Sequence, residues 1–275
     1  MKDINYNEKI IDLEEQKEIL LQILKYIDDI CRKNDIKYTL VGGSLIGAIR
    51  HKGIIPWDDD IDIGLLPDEY DKLINCLKND NKSYYKLLDL NSESTYWYPF
   101  AKLVDTRTIC NEIYTKKIKN YGIYVDIFKY NYIPDEKNKI DIYYSTLRKK
   151  CGLLFKTITI NHKNIFKKAI YKIVGKMFPI GVSRKIAKSY VNYSEQYNDL
   201  SMPEYVMLNW TPYGAEKETL KKAYFDDYID VEFDGIRTMV VKRYDEVLSH
   251  VFGDYMTPPP IEKQITHHDT KIYWK

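Results

Sequence analysis

The chain has 275 residues, enough for one large domain or a domain with a helical insertion, and its 44% hydrophobic and 30% charged residues are ordinary for a soluble globular protein. No segment approaches the roughly eighteen uninterrupted apolar residues of a membrane span, the N-terminus is too polar for a signal peptide, and the four scattered cysteines form no C-x-x-C pair. We therefore expect a reduced, cytoplasmic protein. Its net charge of +2 conceals a basic segment, since residues 147–190 contain twelve Lys and Arg and no Asp or Glu.

The chain opens with a predicted helix and a short predicted strand. Residues 8–34 place apolar side chains at spacings of three and four with charged residues between them, which predicts an amphipathic helix. The apolar run 36–41 predicts a buried strand that ends at Gly42 and Gly43. Ser44 is then expected to cap a short helix, whose free N–H groups would suit an anion such as a phosphate.

Acidic residues follow this helix after a basic turn. Asp60 and Asp62 point to the same side of an extended chain, because side chains alternate faces along a strand. Two neighbouring carboxylates repel each other unless a cation lies between them, and a hard divalent ion such as Mg2+ takes oxygen ligands of this kind. This stretch therefore predicts an anion site beside a metal site.

The following elements complete a predicted α/β (α+β) fold, a mixed sheet backed by helices. Pro67 is expected at the first position of a helix that runs to about Leu77. Four strand-like runs follow, at residues 85–90, 98–104, 108–114 and 122–130. Asp126 lies in the last run among bulky apolar residues, where an unpartnered acid is costly to bury. We expect it to join Asp60 and Asp62 around one metal; alternatively, it ends an edge strand or accepts a backbone N–H.

Residues 135–205 are predicted to form a basic helical insertion between a catalytic core over 1–134 and a C-terminal part over 206–275. The stretch 147–190 carries apolar residues among its lysines, so it could contact anionic lipid headgroups or a lipid-linked glycan; an ordinary solvated lysine face is the alternative. Nucleic acid is not expected as a partner, because no recognised nucleic-acid module surrounds the patch. In the C-terminal part, Asp234-Gly235 predicts a β-hairpin.

Several stretches resemble one protein family. The string GGSLIGAIRHKGIIPWDDDIDIGL at 42–65 resembles the LicD family of phosphocholine transferases, within the nucleotidyltransferase-fold superfamily, and the strings YPFAKLVDT, GIYVDIF and YDEVLSHVFGDYMTPPP support it. The resemblance implies a nucleotidyltransferase-like sheet and places Asp126 third, beside Asp60 and Asp62, in a metal cage. The cage would hold one or two Mg2+ ions, with Mn2+ as a substitute.

The resemblance also implies a reaction. Phosphocholine would pass from CDP-choline to a hydroxyl of a cell-surface glycan, such as a lipid-linked teichoic-acid precursor, with CMP as the leaving group. Gly42, Gly43 and Ser44 would lie against the phosphates. Asp58 or Asp62 would take the proton of the attacking hydroxyl.

Four other residues are candidate substrate contacts. Arg50 and Lys102 are assigned to phosphate, with a surface salt bridge as the alternative for each. Trp57 is one of several aromatic residues that could surround a quaternary ammonium group, with core packing as the alternative. His267 follows the proline run, where the resembled family commonly has a histidine, and it is assigned to the site on that basis.

Three alternatives to this reaction stay open. A nucleotidyltransferase of the same fold would attack the α-phosphate and release pyrophosphate. A non-enzymatic glycan- or lipid-headgroup-binding module would use the many tyrosines, but it leaves the acids beside the Gly-Gly-Ser turn unexplained. A calcium-binding loop of the EF-hand type, beginning at Asp58, is the third alternative. It is disfavoured because Ile63 would stand where that loop needs Gly and because the loop would contain Pro67. The period-two alternation of the acids favours a strand instead.

Overall fold

The computed structural model describes residues 9–80, 84–161, 171, 175, 177–210, 213–266 and 270–275. Within them the chain forms a mixed β-sheet with helices, which confirms the α+β class. The helices are α1 (Leu13–Lys33), α2 (Gly42–Ile46), α3 (Pro67–Asn79), α4 (Lys137–Ile158), α5 (Ile180–Ser194), α6 (Ala215–Glu218) and α7 (Tyr244–Phe252). The strands are β1 (Thr39–Leu40), β2 (Asp62–Leu65), β3 (Tyr85–Leu88), β4 (Ala101–Asp105), β5 (Thr108–Asn111), β6 (Tyr124–Ile133), β7 (Tyr205–Leu208), β8 (Leu220–Lys221), β9 (Tyr228–Phe233), β10 (Ile236–Val241) and β11 (Lys271–Trp274).

The central sheet has the strand order β1-β2-β6-β4-β3. Strands β2 and β6 run parallel, whereas β1–β2, β4–β6 and β3–β4 are antiparallel pairs. Strand β6 is ten residues long and largely buried on both faces, as a central strand should be. Its far end pairs with β7, which in turn pairs with β8. Strand β6 therefore connects the part of the sheet that carries the acids with the part that meets the later helices.

Helix α1 packs its apolar face against the sheet. Asp12 caps the helix by accepting a hydrogen bond of 2.9 Å from the Glu15 N–H. The buried apolar residues of this face include Ile19, Leu20, Ile23, Leu24 and Ile27. Full burial of such a side chain stabilises the fold by roughly 1.5–3 kcal/mol, so the helix is firmly fixed. The helix predicted over residues 8–34 is confirmed, with its first turn at Leu13.

The hairpin of β9 and β10 supports the loop before the acids. Its turn residues, Asp234 and Gly235, have φ values of 47° and 77°, which match the two-residue turn predicted from the sequence. The Asp234 carboxylate accepts a hydrogen bond of 2.7 Å from the Ile54 N–H. A Cβ atom at Gly53 would lie 1.9 Å from Asp234 Oδ1, so a side chain there would have to displace that carboxylate.

Helices α4 and α5 pack against each other and against the far end of β6. Their small core consists of Ile133, Tyr143, Leu147, Tyr190 and Met207. The Tyr143 hydroxyl donates a hydrogen bond of 2.6 Å to the Ser194 carbonyl, which ties the two helices together. Helix α5 begins directly after Pro179, which occupies its N-cap position. Of the predicted basic stretch, residues 162–170 and most of 171–176 lie outside the described residues. Among the helices that the structure describes, none has the length and apolar character needed to cross a bilayer.

Candidate active site

The Gly-Gly-Ser turn leads directly from β1 into α2. Helix α2 begins at Gly42, whose φ of 57° lies in the left-handed region that glycine adopts without strain. The prediction that Ser44 caps this helix is wrong, because Ser44 lies inside it and the N-cap position belongs to Val41. The Ser44 hydroxyl oxygen instead accepts a hydrogen bond of 2.9 Å from the Asp62 N–H. This bond holds the turn against β2.

Asp62 and Asp126 lie side by side on adjacent strands. The parallel register of β2 and β6 pairs these two residues directly, and the Asp126 N–H donates to the Ile61 carbonyl at 3.0 Å. The Oδ1 atom of Asp62 is buried and has no hydrogen-bond partner among the described residues. Burial, followed by the charges of Asp60 and Asp126, holds the pKa of the Asp62 carboxyl well above its usual range. The site therefore concentrates negative charge that a cation would relieve.

The acidic run before β2 forms a second group of carboxylates. Asp58, Asp59 and Asp60 each offer a carboxylate oxygen, and these three oxygens lie within 4.8 Å of one another. Within the described part of the chain, this is the group of acidic side chains close enough together to share one metal ion. The predicted trio of Asp60, Asp62 and Asp126 does not form so tight a group there. The Gln16 side-chain amide of α1 donates to the Asp59 carbonyl at 2.7 Å, so α1 positions this run.

A close approach explains the second glycine of the turn. A Cβ atom at Gly43 would lie 2.7 Å from Asp58 Oδ2, closer than a Cβ atom and an oxygen can approach. Gly43 therefore allows the Asp58 carboxylate to lie against the turn. The first glycine is less crowded, since a Cβ atom at Gly42 would be 3.8 Å from Asp62 Oδ2. The turn and the carboxylates thus form one continuous surface.

Lys102 is a buried counter-ion of Asp126. The two residues face each other in the antiparallel register of β4 and β6, and Lys102 Nζ lies 2.5 Å from Asp126 Oδ1. The ammonium group also lies 3.5 Å from the centre of the Tyr124 ring and 4.5 Å from that of Tyr98. Lys102 therefore forms a salt bridge, as its alternative role predicted, but at 1% exposure the salt bridge is buried and does not lie at the surface.

The other predicted contacts lie apart from this ion pair. The Arg50 guanidinium is half-buried and donates from Nη1 to the Tyr255 carbonyl at 2.7 Å and from Nε to His51 Nδ1 at 3.3 Å. Within the described residues Arg50 makes no ion pair, and burial lowers its pKa. The half-buried Trp57 ring packs edge-on against His51, with 5.8 Å between ring centres. His267 lies outside the described residues.

A cavity beside the turn involves residues that the sequence analysis did not assign to it. It has a volume of about 140 Å³ and is bounded at one end by Gly42, Gly43 and Asp62. Its other walls include the aromatic rings of Phe128, Tyr130, Trp210, Tyr213 and Phe252 and the carboxylate of Glu218. No pattern in the sequence relates Glu218 to the Gly-Gly-Ser turn. Only the folded chain brings these distant segments together.

The carboxylates present fit a divalent cation. Mg2+ takes carboxylate oxygens as ligands, and the buried Oδ1 of Asp62 is an acceptor that lacks a donor within the described residues. Asp60, Asp62 and Asp126 contribute three negative charges when ionised, and Lys102 contributes one positive charge. Two negative charges then remain, which one divalent ion would balance.

A mixed sheet that brings a glycine turn and clustered carboxylates together fits a transferase of phosphate-containing groups, because such transfer depends mainly on positioning and electrostatics. The chain belongs to the LicD family. Residues 35–179 match the family model described as LicD/FKTN/FKRP, nucleotidyltransferase domain.

Two relatives illustrate the range of this family. Over 269 residues the chain is 32% identical to the lipopolysaccharide cholinephosphotransferase LicD of Haemophilus influenzae, a match that covers 96% of this chain and 99% of that protein. The ribitol 5-phosphate transferase FKRP of Homo sapiens is 44% identical over 46 residues, which cover 17% of this chain and 9% of that protein. The family resemblance seen in the sequence is confirmed, and both relatives are named as transferases of phosphate-containing groups.

Proposed function

We propose that the protein transfers phosphocholine from CDP-choline to a hydroxyl group of a cell-surface glycan or its lipid-linked precursor, such as a teichoic-acid precursor, and releases CMP. The observation that carries this proposal is the similarity to a lipopolysaccharide cholinephosphotransferase: the two sequences are 32% identical, and the match covers 96% of this chain. The site supports it, because a turn that can receive phosphate lies beside carboxylates that can hold a cation.

We assign the cation as Mg2+, in one or two ions, held by Asp60, Asp62 and Asp126; Mn2+ has similar oxygen preferences. When bound, it would supply positive charge that offsets the charge of the donor phosphates. Lys102 contributes a fixed positive charge at Asp126. Because its ammonium is buried, we assign it to balancing the acids in addition to the phosphate contact expected from the sequence.

The donor phosphates lie against Gly42, Gly43 and Ser44 in this proposal. The first amide N–H groups of a helix have no carbonyl acceptor within the helix, so those of α2 can donate to phosphate oxygens. The acceptor hydroxyl attacks the phosphorus atom that carries choline, forming the new P–O bond as the bond to CMP breaks. Asp58 or Asp62 takes the hydroxyl proton, and CMP leaves with the bonding electron pair.

The outer part of the site is assigned to the remaining contacts. Arg50 is assigned to phosphate, because its guanidinium has N–H groups beyond those that bind Tyr255 and His51. Trp57, at the same loop, and His267 stay candidate substrate contacts. The basic stretch 147–190 would face the lipid-linked acceptor at the cytoplasmic surface of the membrane.

Product analysis tests the reaction. Purified protein is incubated with CDP-choline, Mg2+ and a lipid-linked glycan extract, and CMP is measured alongside choline attached to glycan. Asp60→Asn and Asp126→Asn should each abolish CMP release, whereas Asp29→Asn, an exposed acid on α1, should leave it unchanged. Release of pyrophosphate from a nucleoside triphosphate, with CDP-choline left intact, would instead establish the nucleotidyltransferase alternative. Binding of glycan without any turnover would leave a non-enzymatic binding module.

A further inference from the structure

The cavity beside the Gly-Gly turn contains the buried carboxylate of Glu218. Glu218 is 5% exposed, and its Oε1 accepts a hydrogen bond of 3.0 Å from the Tyr213 N–H. Within the described part of the chain no Lys, Arg or His pairs with it. Burial of an acid in this way costs free energy unless the charge is compensated. Burial accordingly raises the pKa of Glu218 to about 7.

Aromatic rings surround the same space. Tyr213 and Phe252 pack edge to face, with 5.3 Å between ring centres, while Trp210, Phe128 and Tyr130 line the remainder with aliphatic side chains. Partial burial, followed by the charges of Glu218 and Asp62, raises the pKa of Tyr213. The cavity thus runs from Glu218 to the acids of the candidate active site.

We propose that this cavity binds the quaternary ammonium headgroup of the donor, with Glu218 as its counter-ion and the rings of Trp210, Tyr213 and Phe252 as its walls. The inference rests on the proposed function and adds the residues that select choline. A quaternary ammonium group has no N–H to donate, so it is recognised by aromatic faces and a nearby negative charge. The cavity offers both, at one wall of the phosphate turn.

The size and chemistry of the cavity discriminate between headgroups. Its volume of about 140 Å³ is close to that of cavities of roughly 150 Å³ that hold a benzene-sized molecule, which suits a trimethylammonium group. A polyol such as ribitol would bury several hydroxyl groups against apolar side chains, and each unpaired hydroxyl would weaken binding. A primary ammonium would leave N–H donors facing the rings. The cavity therefore favours choline over ribitol and ethanolamine.

Binding measurements test this assignment independently of turnover. Calorimetry compares CDP-choline with its neutral carbon isostere, the CDP ester of 3,3-dimethylbutanol, and ligand-detected NMR follows free choline. We expect wild-type protein to bind CDP-choline at least about tenfold more tightly than the isostere, since only the cation is attracted by Glu218. Glu218→Gln should remove that preference, and Tyr213→Leu should weaken both ligands. Glu216→Gln, an exposed acid on the same short helix, is the matched control.

The outcomes separate this inference from the proposed function. Equal binding of CDP-choline and the isostere by wild-type protein, or full preference retained in a folded Glu218→Gln variant, would overturn the headgroup assignment. If that occurred while wild-type protein still released CMP, the reaction would stand and the headgroup would bind elsewhere. Choline binding lost in Glu218→Gln, without CMP release by wild-type protein, would support the cavity and refute the reaction. If Glu218→Gln does not fold, the affinity of Tyr213→Leu for CDP-choline is measured instead, since Tyr213 is 53% exposed and its replacement should leave the fold intact. An affinity equal to that of wild-type protein would then overturn the headgroup assignment.

Discussion

Replacing Lys102 with Met tests the buried ion pair at the centre of the candidate site. Met keeps most of the aliphatic length of the side chain but removes the ammonium group that lies 2.5 Å from Asp126 Oδ1. The Asp126 carboxylate then remains buried beside Asp62, with more negative charge in the same volume. Removing one partner of a buried pair typically costs about 3–5 kcal/mol. Because Met preserves contacts with the surrounding rings, we expect a loss near the lower end, about 3 kcal/mol.

Urea unfolding followed by circular dichroism measures this loss as a change in the free energy of unfolding. The matched control is Lys86→Met on the neighbouring strand β3, where Lys86 is 38% exposed and lies 3.5 Å from Glu93. A partly solvated pair of this kind contributes about 0–1 kcal/mol. The double variant Lys102→Met/Asp126→Asn should regain much of the loss, since it removes the charge as well. A loss for Lys102→Met no larger than that of the control would refute the view that this pair is buried and strongly coupled.

Three further predictions concern the acids, the turn and the headgroup cavity. Asp62→Asn should abolish transfer yet raise the thermal midpoint of the metal-free protein by a few degrees, since it removes a negative charge buried beside Asp60 and Asp126, and each kcal/mol gained shifts the midpoint by roughly 2–4 °C; a lowered midpoint in scanning calorimetry would contradict this. Gly43→Ala should reduce kcat at least about tenfold by displacing Asp58, because a 1 Å misplacement at a reacting centre can reduce the rate about a hundredfold. Its control is Gly181→Ala, where a Cβ atom would meet nothing within 4 Å, and equal kcat values for the two variants would count against the close approach. The affinity for CDP-choline should rise with pH up to about 7 and then level off, because burial raises the pKa of Glu218 to about 7 and only its ionised form attracts the cation. The same raised pKa means that the stability of the ligand-free protein declines as pH rises from the usual Glu pKa, about 4.3, through about 7. Within the described residues, the charge of Glu218 acts on Tyr130, Tyr144 and Tyr213, and the carboxyl group of Asp62 lines the same cavity. A calorimetric affinity for CDP-choline that is flat from pH 5 to pH 8 in wild-type protein would contradict the role of Glu218.

Local patterns in the sequence were sufficient for the elements themselves. The period of α1, Pro67 at the start of α3 and the two-residue turn at Asp234-Gly235 are all determined by short-range chemistry, and all three are found in the structure. The neighbouring positions of Asp62 and Asp126 depend on a longer-range property, the register of two parallel strands. Alternation along each strand gives the face that a side chain occupies, but it does not give the register between strands.

The environments of individual side chains were harder to predict. Ser44 follows two glycines and resembles a helix cap, yet the left-handed conformation of Gly42 lets α2 begin earlier, so the hydroxyl reaches β2. Lys102 is a residue type that is normally exposed, and only its pairing across β4 and β6 explains why it is buried. Glu218 lies 156 residues beyond Asp62 and 92 residues beyond Asp126 in the chain, so no spacing rule could connect it with them.

The headgroup cavity adjoins the acids of the candidate active site, and this position helps to decide which phosphorus atom of the donor is attacked. Both regions include Asp62, and both border the turn at Gly42 and Gly43. A headgroup in the cavity would bring its own phosphate against the acids and direct the cytidine portion away from them. In a pyrophosphate-releasing reaction the α-phosphate would occupy that position, and the cavity would have to accept part of the nucleoside. Its largely apolar walls would leave the donors and acceptors of a nucleobase unpaired, at a cost of about 1–3 kcal/mol each. The cavity therefore favours attack at the phosphorus atom that carries choline, with cleavage of the bond to CMP.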